Sequence, residues 1–320
     1  MQNKDLLRTI DVSHGTTHDG PGMRTTVFVK GCPLHCLWCQ NPESISPHNE
    51  VWWSAADCIG CGSCREACQN GALSFEEKGI RIRREVCEKC GACAEVCPTT
   101  AMSLQGQEYD LETLLSEVLR DRNYYKQFGG GVTCSGGEPL LQCEFVSDFF
   151  KRLREEGITT ALDTCGFAPK SHLETVLPYT DYVLYDMKLF DSELHKAYTG
   201  VPNERILSNL LFLADHARRE NPNMKIWIRT PLIPGITAVE ENIRSIGVFI
   251  REHILDVIER WELCAFNGVC VSKYDKLGES WRFAGQGAMT QSEIDRIKSV
   301  ACSMVTPEKV LITGMVRSDC

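Results

Sequence analysis

The chain has 320 residues, with 34 Lys and Arg against 43 Asp and Glu, and a formal net charge of -9 at pH 7. This acidic balance excludes the basic stripe with which proteins bind nucleic-acid phosphates. The N-terminus MQNKDLLRTI lacks the apolar core of a signal peptide, and no run approaches the roughly 20 apolar residues of a membrane span. We therefore expect a cytoplasmic protein with no nucleic-acid or membrane partner.

Strand-like and helical patterns alternate along the chain. Candidate strands lie at 25–31, 131–136, 159–164, 182–188, 225–232, 261–266 and 309–314, and amphipathic helices at 111–125, 143–157 and 240–260. This alternation predicts an α/β fold with a parallel sheet and right-handed crossovers. About six such units suit a TIM-like barrel or a partial (β/α)6 barrel, in which working residues follow the strands.

Cysteine usage divides the chain further. It has 18 cysteines, and eleven of them lie between Cys32 and Cys97. Thiols stay reduced in the cytoplasm, so clustered cysteines predict metal binding or catalysis rather than disulfides. We expect three segments: the start of the barrel at 1–53, a cysteine-rich insert at 54–104, and the rest of the barrel at 105–320.

The stretch GCPLHCLWCQNPES, residues 31–44, follows the first candidate strand. It places Cys32, Cys36 and Cys39 within eight residues, with no fourth cysteine at matching spacing. Three thiolates fill three corners of a four-iron cube and leave the fourth iron open, as catalytic metal sites require. Three buried thiols, or a zinc site completed by a distant ligand, are the alternatives.

The insert is an internal repeat. CIGCGSCREACQNGAL and CEKCGACAEVCPTTAM repeat with a period of 29 residues, counted from Cys58 to Cys87. Each half resembles the cysteine run of a bacterial two-cluster ferredoxin, in which the fourth cysteine of each run binds the other cluster; a pair of zinc sites is the alternative. The resemblance implies two [4Fe–4S] clusters, one held by Cys58, Cys61, Cys64 and Cys97 and the other by Cys68, Cys87, Cys90 and Cys93.

The C-x3-C-x2-C motif after a first strand resembles the signature of radical S-adenosylmethionine (SAM) enzymes, with the three cysteines as catalytic cluster ligands. An SGGEP turn after the second strand, and acidic residues ending the third and fourth, add to the resemblance. It implies that Asp163 and Asp186 help bind a monovalent cation near the methionine carboxylate, that Lys188 pairs with this carboxylate, and that Arg229 reaches the carboxylate or the ribose. The SAM-binding residues expected in this way are Trp38, Ser135, Gly136, Gly137, Glu138, Asp163, Asp186, Lys188, Arg229 and Asn242.

One family within that superfamily is similar over the whole length. HDGPGMRTTVFVKGCPLHCLWCQNPES resembles the activating enzymes of glycyl-radical enzymes, of the pyruvate formate-lyase-activating type with a ferredoxin insert. The resemblance implies that SAM is cleaved reductively and that the 5′-deoxyadenosyl radical takes hydrogen from a glycine of a partner enzyme. It also implies a flavodoxin or ferredoxin as electron donor. The residues expected to contact the partner are Asp19, Gly20, Pro21, Gly22 and Arg24.

The C-terminal part suggests which partner. Residues 261–283 match the family at K-Y-x-x-L-G but depart upstream, where many relatives carry a Pro-Tyr-His-like element. This resembles activators of lyases that act on isethionate or on aromatic hydrocarbons, as benzylsuccinate synthase does. Two other functions are weighed against this one. A radical SAM enzyme for a small molecule, or for maturing another protein, would not need DGPG and WCQNPE; an electron-transfer subunit would not need the open cluster corner and the SGGEP turn.

Overall fold

The computed structural model describes residues 4–77 and 79–319. The strands are β1 (Leu7–Thr16), β2 (Arg24–Val29), β3 (Glu50–Trp53), β4 (Leu73–Glu76), β5 (Gly79–Ile82), β6 (Met102–Gln105), β7 (Gln107–Tyr109), β8 (Gly131–Gly136), β9 (Thr159–Thr164), β10 (Tyr182–Asp186), β11 (Lys225–Leu232), β12 (Ile258–Ala265) and β13 (Val310–Thr313). The helices are α1 (Ser63–Ala67), α2 (Ala92–Glu95), α3 (Leu111–Leu119), α4 (Arg122–Phe128), α5 (Cys143–Glu155), α6 (Lys170–Val176), α7 (Ser192–Thr199), α8 (Glu204–Arg219), α9 (Glu240–His253), α10 (Val271–Leu277) and α11 (Gln291–Met304). Short 3-10 turns occupy Pro42–Ser44, Pro139–Gln142, Leu177–Tyr179 and Pro307–Lys309.

Nine strands form the main sheet, in the order β13-β12-β11-β10-β9-β8-β2-β1-β7. Neighbours from β2 to β13 run parallel, so the expected α/β class and parallel sheet are confirmed. Alternate side chains of these strands, such as Val132, Leu162 and Ile228, join the core beneath the helices. Residues between them point to the opposite face, where Leu184 and Trp227 form a separate small cluster.

β1 and β7 form an antiparallel edge that the sequence pattern did not predict. Thr9 pairs with Val29 on one side and with Gln107 on the other. The burial of β1 alternates between buried and more exposed positions along its first residues, as expected for a strand with one solvated face. The return of the chain through β7 brings the ends of the intervening segment back to the same edge of the main sheet.

Two expected helices end earlier than their apolar pattern. The helix expected at 111–125 breaks into α3 and α4 at Asp121, whose carboxylate is bonded to Thr25 and His14. The helix expected at 240–260 ends at His253, and Ile258 begins β12 by pairing with Ile226. Tertiary contacts therefore override local periodicity at both places. Among residues 4–77 and 79–319, none of the helices combines the length and apolar composition that crossing a membrane requires.

The cysteine-rich segment folds apart from the main sheet. β3 pairs antiparallel with β6, and β4 pairs with β5 in a hairpin. Residues 50–53, which the sequence assigned to the start of the barrel, thus pair with the end of the expected insert. The small core of this segment contains Val51, Leu73, Ile80 and Met102 together with Cys64 and Cys93.

A fully buried arginine, Arg24, joins three strands of the main sheet near their amino ends. Arg24 begins β2 and is 0% exposed. Its guanidinium donates to the Thr133 hydroxyl at 2.7 Å, to the Val132 carbonyl at 2.7 Å and to the Thr159 carbonyl at 3.1 Å. Burial lowers the pKa of Arg24 to about 10, so the side chain stays charged at neutral pH. One cation therefore joins β2, β8 and β9 across their first residues.

We predict that Arg24→Met lowers the free energy of unfolding by about 2–4 kcal/mol, because three strand-end acceptors lose charged donors inside the protein. Arg81→Met is the matched control, since the Arg81 side chain is 67% exposed and its ion pair is with the exposed Glu76. Urea unfolding under anaerobic conditions measures both. A similar, small loss in the two variants would contradict the assigned role of Arg24.

Candidate active site

The loops that follow β2, β8, β9, β10, β11 and β12 meet around one cavity of about 310 Å³. These loops leave the carboxyl ends of parallel strands, where α/β folds place their sites. Most of the residues expected to bind the cluster or SAM line this cavity. They are Cys32, Cys36, Trp38, Cys39, Ser135, Gly136, Gly137, Asp163, Asp186, Lys188 and Arg229.

The cysteine loop, residues 32–41, is held from two sides. On one side its backbone bonds to the end of α7, where the His35 amide donates to the Thr199 carbonyl at 2.7 Å. On the other side, the Tyr274 hydroxyl of α10 donates to the Cys39 carbonyl at 3.0 Å, and the Trp281 indole donates to the Leu37 carbonyl at 3.1 Å. These contacts fix the loop without using a thiol, which leaves the sulfurs for other ligands.

The three cysteines are partly buried. Burial raises the pKa of Cys36 to about 12 and raises the pKa of Cys39 still further. A hydrogen bond from Cys165 lowers the pKa of Cys32, against the effect of burial. Buried thiols become thiolates when a metal supplies the compensating charge. The trio therefore fits an iron–sulfur cluster, although Cys165 and Cys264 also line the cavity.

The SGGEP turn lies directly against the end of β2. The Gly137 amide donates to the Val29 carbonyl at 2.8 Å, and the Glu138 amide donates to the Gly31 carbonyl at 2.7 Å. A Cβ at Gly136, whose φ is +102°, would lie 2.5 Å from the Val29 nitrogen, and one at Gly137 would lie 2.2 Å from the Gly31 oxygen. Only glycine permits this approach, which sets the turn beside the cysteine loop.

Two expected SAM-binding residues lie behind the cavity wall instead of lining it. The buried carboxylate of Glu138 accepts from the Leu140 amide, the Thr164 hydroxyl and the Cys165 amide at 2.7–3.0 Å. Burial raises the pKa of Glu138, and the hydrogen bonds from Cys165 and Thr164 oppose the rise. Asn242 of α9 is bonded to backbone groups of Lys188, Phe190 and Thr237. In this structure both residues position the loops that carry the cavity.

Charged groups alternate along the cavity. Asp163 accepts from the Ser135 hydroxyl at 2.7 Å and pairs with Arg229 at 3.2 Å, while Lys188 pairs with Asp186. Burial raises the pKa of Asp163 to about 6, and Arg229 opposes the rise. Burial alone would lower the pKa of Lys188, but neighbouring groups, chiefly the negatively charged Asp186, outweigh this effect, so the pKa of Lys188 is raised. Both cations stay charged at neutral pH and suit a carboxylate ligand.

Other cavity residues had no motif to mark them. Ile233, Phe266 and Asn267 follow β11 and β12, and Gln40 donates to the Asn267 carbonyl at 3.2 Å. Their only signal in the sequence is their position after a strand, which the barrel rule already gives. Ile233 and Phe266 contribute apolar side chains to the lining of the cavity.

The DGPG loop, Asp19–Gly22, lies on the same face of the main sheet as the cavity. It contacts Thr133 of β8, two residues before Ser135 of the cavity lining. The Asp19 carbonyl accepts from the Thr133 hydroxyl at 2.6 Å, and the Asp19 carboxylate accepts from Thr26 at 3.0 Å. Gly22 is exposed. Arg24 differs from its expected place, because its buried guanidinium supports this loop from beneath rather than facing a partner.

The insert cysteines surround two further cavities. We name Cys58, Cys61, Cys64 and Cys97 the first quartet, and Cys68, Cys87, Cys90 and Cys93 the second quartet. Each quartet lines one cavity, and the volume is about 10 Å³ at the first quartet and about 270 Å³ at the second. Within the described residues, no group of three or more His, Cys, Asp or Glu side chains is arranged to hold a single metal ion.

Comparison with known proteins shows which superfamily and which relatives this chain resembles. The radical SAM superfamily matches residues 26–245. The chain is 41% identical, over 84% of either chain, to the (2S)-3-sulfopropanediol dehydratase activating enzyme of Klebsiella oxytoca. It is 36% identical to the isethionate sulfite-lyase activating enzyme of Desulfovibrio desulfuricans, over 95% of this chain and 97% of that one. A radical SAM methyltransferase from Sphaerobacter thermophilus, 13% identical, shares the fold with a TM-score of 0.50 over 99% of this chain and 75% of the other.

The fold and the matched residues define a radical SAM enzyme, and membership of that superfamily implies a [4Fe–4S] cluster and SAM. Within it, the chain belongs to the activating enzymes of glycyl-radical enzymes. The main functional expectation from the sequence is thereby confirmed, and the reading as an electron-transfer subunit is not supported.

We predict that Glu138→Gln lowers the affinity for SAM about tenfold. The NH2 group of glutamine cannot accept a hydrogen bond, so one of the three donors that Glu138 now satisfies would lose its partner and the SGGEP turn would shift. Glu144→Gln, on the exposed face of α5, is the control and should bind SAM normally. Anaerobic titration calorimetry of iron-loaded protein measures the affinity. Unchanged binding by Glu138→Gln at normal iron content would contradict the positioning role.

Proposed function

We propose that Cys32, Cys36 and Cys39 hold the catalytic [4Fe–4S] cluster and that SAM binds in the adjacent cavity. The observation that carries this proposal is the meeting of the cysteine loop, the SGGEP turn and the charged strand ends in one cavity. When bound, the cluster supplies the electron that splits SAM into methionine and a 5′-deoxyadenosyl radical. The radical then takes a hydrogen atom from a glycine of the partner.

The chain's own residues position SAM and shield it. Lys188 is a buried cation and Arg229 a half-buried one, and both suit the methionine carboxylate. Asp163 and Asp186 balance their charge and suit a monovalent cation. Polar groups of the Ser135–Gly137 turn suit the methionine amino group. Trp38 is 5% exposed and closes the cavity beside the cysteine loop, which excludes water from a reactive radical.

We propose that the glycine-bearing loop of the partner reaches the cavity past the DGPG loop. Asp19 lies close enough to Asp163 for its charge to raise the pKa of Asp163, so a peptide on this loop would lie next to the cavity. A lyase or dehydratase for a small organosulfonate is the proposed partner class. The sulfopropanediol and isethionate activators among the relatives support this class.

We predict that Cys36→Ala abolishes both products of the reaction, because a cluster with two thiolate ligands is not held in place. Reduced protein, SAM and a candidate organosulfonate lyase are incubated without oxygen. The wild type should form 5′-deoxyadenosine and a carbon-centred radical doublet in electron paramagnetic resonance. Cys302→Ala on α11 is the control and should retain both signals; a doublet from Cys36→Ala would contradict the ligand assignment.

We also propose that residues 50–105 form a ferredoxin-like insert with two [4Fe–4S] clusters, one in each quartet. Support comes from the two cavities, each lined by the four cysteines that the ferredoxin resemblance groups together. The insert would relay electrons from a flavodoxin or ferredoxin in the cytoplasm. A reducing compartment suits eleven ligand thiols.

We predict that the intact protein binds about 12 iron atoms, since each of three cubes holds four. Cys58→Ala and Cys87→Ala should each lose about four, and both should lose SAM cleavage with reduced flavodoxin while keeping it with dithionite. Iron and zinc analysis, with 5′-deoxyadenosine as product, tests this. Bound zinc in place of iron would contradict the clusters, and full turnover with flavodoxin would contradict the relay.

A further inference from the structure

We infer that the two quartets are not equivalent: the first quartet accepts the electron from an external carrier protein, which docks on Ile59 and Phe75, and the second quartet lies on the side of the insert that packs against helix α10. This inference rests on the proposed function of the insert as a holder of clusters. It assigns a docking surface, a direction and a partner chemistry to a segment that the cysteine pattern alone leaves symmetric.

The loop that carries the second quartet is tied to the rest of the protein. Lys89, between Cys87 and Cys90, pairs at 2.6 Å with Glu50 of β3, the strand of the insert that contacts helix α10. Arg84 donates to the Leu277 carbonyl at the end of α10 at 2.7 Å. This side of the insert is therefore the side that packs on the C-terminal part of the chain.

Helix α10 continues the connection to the cysteine loop. Its Lys273 ammonium lies 2.7 Å from both Asn41 and Glu43, and its Tyr274 hydroxyl bonds to the Cys39 carbonyl. One short helix thus contacts the catalytic cysteine loop near its start and the second-quartet loop at its end. The second quartet is the side of the insert from which an electron leaves for the catalytic site.

The first quartet faces outward. Ile59 lies between Cys58 and Cys61 and is 67% exposed, and Phe75 is 40% exposed. Both side chains line the cavity of the first quartet. Large apolar side chains exposed directly over a redox site mark a place of protein contact. Electron-transfer complexes use small surfaces of this kind.

The charge at this surface indicates the kind of carrier. The Arg65 guanidinium lies 5.7 Å from the centre of the Phe75 ring, which places a cation at the rim of the apolar surface. Glu76, next to Phe75, is paired with Arg81, and the exposed Glu66 and Glu77 lie nearby in sequence. Arg65 thus gives the apolar surface a cation of its own in a chain with a formal charge of -9, which favours docking of an acidic carrier here over the rest of the protein. The partner is a small acidic one-electron carrier with an apolar edge at its redox centre. It loses one electron for each SAM cleaved, and no proton transfer accompanies this step.

The test compares Ile59→Asp with Val86→Asp in the iron-loaded protein. Val86 is the matched control, because it is an aliphatic residue, 41% exposed, that precedes the first cysteine of the second motif. The probe is reduced flavodoxin, and stopped-flow absorbance follows its oxidation. We expect Ile59→Asp to slow this oxidation about tenfold or more, and Val86→Asp to leave it within about twofold of the wild-type rate. Reduction by dithionite should be the same in all three proteins.

Equal rates for Ile59→Asp and wild type, or a larger loss in Val86→Asp, would overturn the assignment. Should Ile59→Asp bind less iron, Arg65→Glu replaces it, since that side chain lies over Phe75 outside the cysteine set. Arg65→Glu should slow flavodoxin oxidation and weaken its dependence on salt. Iron analysis separates the two levels of the argument: about 4 irons in the wild type would remove the insert clusters themselves, whereas about 12 irons with unaffected rates would remove only the docking surface.

Discussion

The parallel pairing of β2 with β8 is the constraint on which the site depends. Val29 lies opposite Gly136 in this register, so the chain leaving β2 and the chain leaving β8 emerge side by side. Two further backbone bonds, from the Gly137 and Glu138 amides to Val29 and Gly31, extend the contact past the strand ends. A side chain on either glycine would push the cysteine loop and the turn apart.

From that contact the cavity is built outward by buried polar groups. Glu138 fixes the turn after β8 to the end of β9 by accepting hydrogen bonds from the Thr164 hydroxyl and the Cys165 amide. Asn242 performs the same task between the loop after β10 and helix α9. Because each of these side chains bonds to backbone groups, a change in either would move a whole loop and not a single contact.

Helix α10 lets the C-terminal part of the chain support the cysteine loop, although the two are more than 200 residues apart in sequence. It supports the cysteine loop through Tyr274 and Lys273 and receives Arg84 from the insert. Trp281 stacks on Tyr274 with ring centres 5.6 Å apart and bonds to the Leu37 carbonyl. The aromatic cluster beneath the site therefore joins three segments that are far apart along the chain.

The sequence by itself indicated the chemistry: the cysteine spacing predicts iron–sulfur ligation, and the strand-end rule brought Ser135, Asp163, Asp186, Lys188 and Arg229 toward one edge. It also predicted every parallel strand, because short apolar, β-branched segments between amphipathic helices are typical of buried strands in a parallel sheet. Only the tertiary structure decided that Glu138 and Arg24 are buried supports, that α9 stops at His253, and that the two halves of a symmetric repeat face different neighbours. These outcomes depend on which distant backbone groups meet each side chain, and local pattern carries no information about such contacts.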